Sequence, residues 1–451
     1  MTGEPQIHPG DVDEFAFHAA DNPLPPAVDF AIVGGGIVGS SAAYFLARQG
    51  VSAGVFEKGR IGGEQSGRNW GWVRQQCRSP VELPLMIESL GIWKTLPEAL
   101  GEDIGFRQGG TLYLAQDEAE LAGLGAWLDV ARAHALDTRL VSGADLAAVF
   151  AAGSRWAGAL YTASDGRAEP SRATRAIARG AKAEGASVLT RTAVRGIETA
   201  AGRVSGIVTE HGRVATRAVV CAAGAWSRLF CGPLGIRVPQ LPVLNSVARL
   251  PPGPALLEGQ AWSPAVAIRR RADGGYTVAH GHTSVHSIVP ASFREAFKFL
   301  PAFRASVGST RLRIGADFFR GLAAPARWPL DRESPFERER VLDPKPDARV
   351  LGEMRAALGR WLPELAGLPF VETWGGMIDA SPDILPIISP VGPIGDFYVA
   401  TGFSGHGFGI GPGAGRLVAE MVCGTAHPAA LAGFRLGRFF DGSPIVPGPA
   451  I

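Results

Sequence analysis

The stretch Asp29-Phe-Ala-Ile-Val-Gly-Gly-Gly-Ile-Val-Gly39, followed by Val51-Ser-Ala-Gly-Val-Phe-Glu57, decides the fold. Asp29 to Val33 is a short run of the buried type, with prolines upstream and Gly after it, and reads as a strand. Val38 to Gln49 reads as a helix stopped by Gly50, and Val51 to Glu57 as a second strand. Gly34, Gly36 and Gly39 therefore stand between a strand and a helix, the context that G-x-G-x-x-G needs to mark a dinucleotide site. The first Gly makes the tight turn, the second admits a pyrophosphate, and the third lets helix pack on strand. The helix N-terminus then offers free N–H groups and its positive dipole end to the phosphates. Glu57 closes the second strand 18 residues past Gly39, where a carboxylate accepts both hydroxyls of an adenosine ribose and disfavours a 2′-phosphate.

Outward from this βαβ start, the rest of the chain also reads as α/β. Thr111 to Ala115 is a strand, Asp117 to Ala135 an amphipathic helix opened by an Asp cap, and Pro170 to Glu184 a helix with Pro in its first turn. Val188 to Ile197, Val204 to Thr209 and Ala218 to Ala222 read as strands. Pro239 to Pro369 mixes strand-like pieces with Pro-rich turns, as an antiparallel sheet with inserted helices does. The strand Phe397 to Thr401, a Gly-rich loop and a helix from Pro412 to Val422 return to the α/β style.

The fold class expected is α/β, α+β overall: a Rossmann-like nucleotide-binding domain with an inserted mixed or antiparallel-sheet substrate domain. The expected boundaries are an extension over 1–26, a discontinuous nucleotide-binding domain over 27–107, 155–237 and 366–451, and a substrate-binding domain over 108–154 and 238–365. A chain of 451 residues is long enough for roughly two to three domains. Its 44 basic and 42 acidic residues nearly cancel, which gives no reason to expect nucleic acid as partner. Cys77, Cys221, Cys231 and Cys423 are scattered without a C-x-x-C pair, so neither a zinc site nor a disulfide framework is expected. No apolar run reaches the ~18 residues of a membrane span, and the start lacks a signal-like apolar region. A cytoplasmic location is the expectation.

No second fingerprint accompanies the first, because Gly409-Ile-Gly-Pro-Gly-Ala-Gly415 opens a helix but has no acid at the right distance. One dinucleotide site under a large covering domain fits bound FAD better than an exchanging nicotinamide cofactor. Further motifs carry a family resemblance: Gln65-Ser-Gly-Arg-Asn69, Tyr161-Thr-Ala-Ser-Asp-Gly-Arg-Ala-Glu-Pro170 and Val219-Val-Cys-Ala-Ala-Gly-Ala-Trp-Ser227. Met377-Ile-Asp-Ala-Ser-Pro-Asp-Ile-Leu-Pro386 and Thr401-Gly-Phe-Ser-Gly-His-Gly-Phe-Gly409 complete the set. Together they resemble the flavin amine oxidases that group D-amino acid oxidase, glycine oxidase and sarcosine oxidase, from about Asp29 to Gly424.

The resemblance implies a cofactor site made by Gly34, Gly36, Ile37, Val38, Gly39, Glu57 and Lys58, then Gln65, Ser66, Gly67, Arg68 and Asn69. Val194, Ala223, Gly224, Trp226 and Gly376 would follow, and the last loop would add Gly402, Ser404, Gly405, His406, Gly407 and Phe408. Its glycines allow close backbone approach to a flavin, and the helix after it would favour negative charge there. His406 reads as a flavin-packing residue, with a catalytic base as the alternative. Gly376 stands about where sarcosine oxidases carry the Cys bonded to flavin, so the FAD is expected to be non-covalent. Those oxidases also carry an active-site Lys in a segment resembling Gly274-Gly-Tyr-Thr-Val-Ala-His280. Lys is absent between Gly259 and Phe297, so Tyr276 or Thr277 is expected in its place.

Trp70-Gly-Trp-Val-Arg-Gln-Gln76 follows the flavin-covering turn directly. Trp72 offers an apolar wall, and Arg74 a carboxylate clamp through paired guanidinium hydrogen bonds. His280 matches a family active-site His and shares a strand face with His282, with His286 nearby. Arg320, in a segment resembling a strand at the substrate mouth, completes the expected set with Tyr276. A three-His metal site is not expected, since no acid or Cys pattern supports it. The activity implied is oxidation of an amine or amino acid by hydride transfer to flavin, giving an imine that hydrolyses, with electrons passed to oxygen or another acceptor. The alternatives are a hydroxy-acid or glycerophosphate-type dehydrogenase on the same fold, or the flavoprotein subunit of a larger complex. A homo- or hetero-oligomer is compatible with either.

Overall fold

A computed structural model describes Phe17 and residues 22–448. Most of the 1–26 extension lies outside them. Phe17 itself is buried in the first core, and its carbonyl accepts from the Thr190 N–H and hydroxyl.

Parallel pairing of Ala27–Val33 with Ala53–Phe56 on one side and Gly212–Cys221 on the other seeds an eight-stranded sheet. Ser187–Leu189 extends it parallel to Ala53–Phe56, and Phe397–Thr401 lies parallel to the end of Gly212–Cys221. The period-2 alternation of Ala27–Val33 sends Phe30 and Ile32 to one face and Ala31 and Val33 to the other. Helices Ile37–Ala47, Leu83–Leu100, Pro170–Ala183 and Gly407–Val422 cover the first face.

A ten-stranded, largely antiparallel sheet forms the second layer system, with helix Ala348–Trp361 packed on it. Two of its strands fall in segments whose sequence suggests the nucleotide-binding part. Gly158–Thr162 pairs with Thr111–Ala115, and Glu372–Ala380 pairs along Leu241–Leu250. Their membership is set by pairing partners rather than by local pattern. No helix among the described residues is long and apolar enough to cross a membrane.

Several elements differ from their sequence pattern. The helix expected over Asp117–Ala135 is two helices, Glu118–Gly125 and Leu128–Ala133, broken after a Gly-containing turn that propagates helix poorly. Asp117 caps the first by accepting from Glu120 N–H. The strand expected over Val188–Ile197 breaks at Arg191, whose φ is 49°, and Val194–Ala200 runs antiparallel to Arg203–Thr209. The last helix begins at Gly407 instead of Pro412. Pro412 lacks an N–H, and the Ser89 hydroxyl bridges the ladder beside it, donating to the Gly409 carbonyl and accepting from Gly413 N–H. Trp93 Nε1 donates to the same carbonyl.

The glycines of that helix are contact surfaces. A Cβ on Gly411 would come 2.8 Å from Ile37 Cγ2, and on Gly413 2.8 Å from Ser89 Cβ. A Cβ on Gly415 would meet Ser41 Cβ at 2.3 Å, closer than any real Cβ contact. Gly415→Ala should therefore overpack the interface with Ile37–Ala47 and destabilise by about 1–3 kcal/mol. Thermal unfolding of the variant checks this, and an unchanged midpoint contradicts the packing described.

Candidate active site

The Gly34 turn shows why the first loop has its sequence. Gly34 has φ 111°, and a Cβ there would lie 2.6 Å from the Ala222 carbonyl oxygen. A Cβ on Gly39 would strike the Gly34 carbonyl at 2.1 Å, so this glycine sets how closely helix approaches strand. Glu57 accepts from Gly35 N–H and Gly59 N–H, both at 2.7 Å, which fixes its carboxylate at the end of the second strand. Burial pushes its carboxyl pKa up, against Lys58 and the two N–H donors.

One continuous cavity starts at this loop and runs between the two sheet systems. Gly34, Gly36, Ile37, Val38, Glu57 and Lys58 line its first end. Gln65, Ser66, Arg68 and Asn69 line the middle, facing Val194, Ala223, Gly224 and Trp226. Gly376 with Gly405, His406, Gly407 and Phe408 continue the wall. Three of these hold the chain as well. Ser66 Oγ accepts from Ile37 N–H at 2.9 Å, and Asn69 ties its own loop through Gly71 N–H and the Gln65 and Ser66 carbonyls. Lys58 Nζ spends its donors on Glu64 and on the carbonyls of Glu339 and Arg340, lying over the Trp226 ring.

Four expected cofactor residues stand behind the wall. Gly39 packs the helix; Gly67 packs against Gly62 and Ser171, its Cβ position 2.3 Å from the Gly62 carbonyl. Gly402 has φ 68° and donates to Asp379, while the Ser404 hydroxyl accepts from Ser381 N–H and donates to the Gly402 carbonyl. They shape the loop that presents Gly405 and His406. Asp379 also accepts from Gln240 and Thr401, and burial raises its carboxyl pKa.

At the far end the cavity is aromatic and basic. Trp72 is held by a short three-stranded sheet, pairing with Arg167, and its ring meets Trp70 edge-on at 5.6 Å. Arg74 is buried on the wall, over the Tyr113 ring at 5.6 Å; among the described residues the only hydrogen bond of its guanidinium runs from Nη1 to the Gln76 carbonyl. Asp165 braces this loop from behind by accepting from Gln75 N–H and Gln76 N–H, and burial pushes its pKa up to about 6. Trp262 stacks on Tyr113 at 4.7 Å and meets His282 edge-on.

Three expected substrate residues do not reach the cavity. Tyr276 is fully buried, its hydroxyl donating to the Pro254 carbonyl and accepting from Leu256 N–H. The register explains it: Tyr276 pairs with Leu250 and Thr277 with Arg249, whereas the cavity opens at Asn245 and Val247 on that partner strand. His280 lies past the strand end at Ala279, so period-2 alternation with His282 does not apply; its Nδ1 accepts from His282 and Thr283 N–H groups in a turn. His282 alone of the pair lines the cavity. Arg320 sits on an exposed helix, Ala316–Ala323, where a strand was expected, and pairs with Asp317 three residues earlier. His286 is clasped by the Pro242 carbonyl and Ser292, and among the described residues no His, Cys, Asp and Glu cluster fits a metal.

Sequence reasoning passed over Arg78, Tyr113 and Trp262. Arg78 and Glu82 are four residues apart and buried together, at 3.4 Å, and that spacing was the one local signal. Burial lowers the Arg78 pKa to about 10, opposed by Glu82, so it stays charged. Burial alone would raise the Glu82 carboxyl, but Arg78 and His406 outweigh it and hold it at about 2. Tyr113 and Trp262 come from strands paired only in the fold.

A strand-turn-helix cradle with a strand-end acid, continued by a groove to an aromatic, basic pocket, fits an FAD with substrate beyond its ring. Residues 29–421 match the family of FAD-dependent oxidoreductases described as DAO. The chain belongs to that family. FAD is its cofactor, and the mixed α/β fold agrees with its structural neighbours. This DAO protein is 34% identical to the L-amino acid deaminase of Proteus myxofaciens, solved with anthranilate, with a TM-score of 0.88 over 92% of this chain and 94% of that one. It is 25% identical to sarcosine oxidase subunit beta of Rhodobacter capsulatus over 92% of this chain and 89% of that one. Against glycine oxidase of Bacillus licheniformis the identity is 26%, over 88% and 93%.

Glu57→Ala removes the acceptor for Gly35 and Gly59 and the one facing the ribose position. FAD affinity should fall by about 1.5–3 kcal/mol, the value of hydrogen bonds to a charged group. Titration of the apoprotein with FAD checks this; unchanged affinity contradicts the assignment of the cradle.

Proposed function

We propose that this chain oxidises an α-amino acid, held by its carboxylate against Arg74, at the carbon that bears nitrogen. The observation that carries the reading is the guanidinium of Arg74: buried, on the wall of the same cavity as the FAD cradle, with one internal hydrogen bond. Arg78 at this end is paired with Glu82, while Arg74 makes no ion pair among the described residues, so a substrate carboxylate supplies the partner it lacks. The relatives support it, since their names concern glycine, sarcosine and L-amino acids. None of these is a hydroxy-acid or glycerophosphate dehydrogenase.

Bound FAD supplies the hydride acceptor. The protein's own contribution is position and exclusion of water. Arg74 fixes the carboxylate, and Trp70, Trp72, Tyr113 and Trp262 close an apolar wall around the remainder. Loss of hydride from Cα and a proton from nitrogen leaves an imine, which water converts to an oxo acid and ammonia. Electrons then pass to oxygen or another acceptor. Because the Rhodobacter relative is named as a subunit, turnover by the purified chain alone separates a self-sufficient enzyme from a component of a larger one.

The FAD is read as non-covalent. Gly376 supplies no side chain, and Cys77 is the one described cysteine on the cavity wall; burial pushes its thiol up to about 12, leaving no thiolate to link. Acid precipitation should release FAD into the supernatant and leave a colourless pellet; a yellow pellet contradicts this.

Arg74→Ala should cut the efficiency of anaerobic flavin reduction by roughly 30-fold or more for an amino acid, because one partner of a buried charged pair is lost. The matched amine without a carboxylate should change little. Equal losses for both would mean that Arg74 holds the loop and not the substrate.

A further inference from the structure

His406 is a buried side chain of the cavity lining, and one of its ring nitrogens is unused. It is 4% exposed; Nδ1 lies 3.1 Å from Glu82 Oε2, and Nε2 has no hydrogen-bond partner. A buried polar atom without a partner costs free energy unless a ligand completes it. Its neighbours fix which kind of ligand. The Glu82 carboxylate can only accept, so in a neutral ring the proton sits on Nδ1 and Nε2 presents a bare lone pair. Glu82 stands at the start of helix Leu83–Leu100 and His406 at the start of Gly407–Val422, two helices packed together, so the pair is rigidly mounted.

The charged and titratable groups facing His406 are Glu82, Arg78 and Arg74 from the 74–82 segment, with Tyr113 beyond Arg74. Burial lowers the ring's pKa, and Arg78 and Arg74 add to this against Glu82, to about 4. The acceptor form is therefore present above about pH 4 and lost only below it. Arg74, Arg78 and His406 line the same cavity, so donors for a carboxylate stand beside an imidazole whose Nε2 lone pair is unused.

We propose that His406 Nε2 accepts a hydrogen bond from the substrate's amino group, with Glu82 as the positioning residue that fixes its tautomer. This rests on the amino-acid reading and adds a second point of attachment to Arg74. Two points turn the Cα–N bond toward a fixed direction, which one carboxylate clamp does not do. A hydroxy acid would present one O–H in place of the amine. A simple carboxylate would leave Nε2 unpaired.

The holoenzyme with two unreactive ligands tests it: anthranilate, which carries a carboxylate and an N–H donor, and benzoate, which lacks the donor. Binding is followed by the change in flavin absorbance. The wild-type protein should bind anthranilate about 5- to 10-fold more tightly than benzoate, the worth of one such hydrogen bond. His406→Leu should remove that preference while leaving benzoate within about 2-fold, and His406→Gln, whose amide oxygen reaches a similar place, should restore part of it. Equal affinity of the two ligands in the wild-type protein overturns the subsite and leaves the Arg74 reading standing. So does an equal loss for both ligands in His406→Leu with weakened FAD binding, which would turn the lone pair toward the cofactor. Failure of the wild-type protein to bind either ligand overturns both readings.

Discussion

The close approach of the last long helix to the first is the constraint on which the site depends. Gly411 and Gly415 allow Gly407–Val422 to lie against Ile37–Ala47 with backbone nearly touching side chain, while Gly413 does the same against Leu83–Leu100. Three helices far apart in sequence thus meet at their N-terminal ends. Those ends carry the Gly34–Gly36 turn, Glu82 and His406. Larger residues along this seam would push the helices apart and separate the first glycine loop from the far end of the cavity.

The electrostatics follow from the same convergence. Arg78, Glu82 and His406 are buried together, and none would be tolerable alone. Arg78 compensates Glu82, Glu82 orders the imidazole, and a neutral imidazole leaves one lone pair free. Arg74 stays outside that compensated group, braced from behind by Asp165 holding the Gln75 and Gln76 backbone. A carboxylate ligand would therefore complete a partly charged pocket rather than compete with an existing ion pair, which is how binding energy is reserved for substrate.

The strands of the second sheet show where local pattern stops being informative. Tyr276 and Thr277 were sensible candidates from their segment, but a strand's side chains reach a cavity only at certain pair positions. The register against Leu241–Leu250 places both beyond the opening. His280 failed because the strand ends one residue before it. Arg320 failed because its segment is helical and solvent-facing. Trp262 and Tyr113 line the pocket through pairing between strands about 150 residues apart in the chain, which leaves no mark in either segment.

The sequence by itself determined the nucleotide-binding start, the cofactor class and most of the residues that line the first part of the cavity. Those features depend on glycine positions, a strand-end acid and short motifs, where backbone geometry admits few residue types. It also placed Arg74 beside the expected flavin, because the loop follows the covering turn directly. Only the tertiary structure decided the pocket's far wall, the role of the C-terminal glycines and the partnership of Glu82 with His406. These are contacts between segments up to 324 residues apart, and their energy comes from burial and pairing that no local spacing encodes.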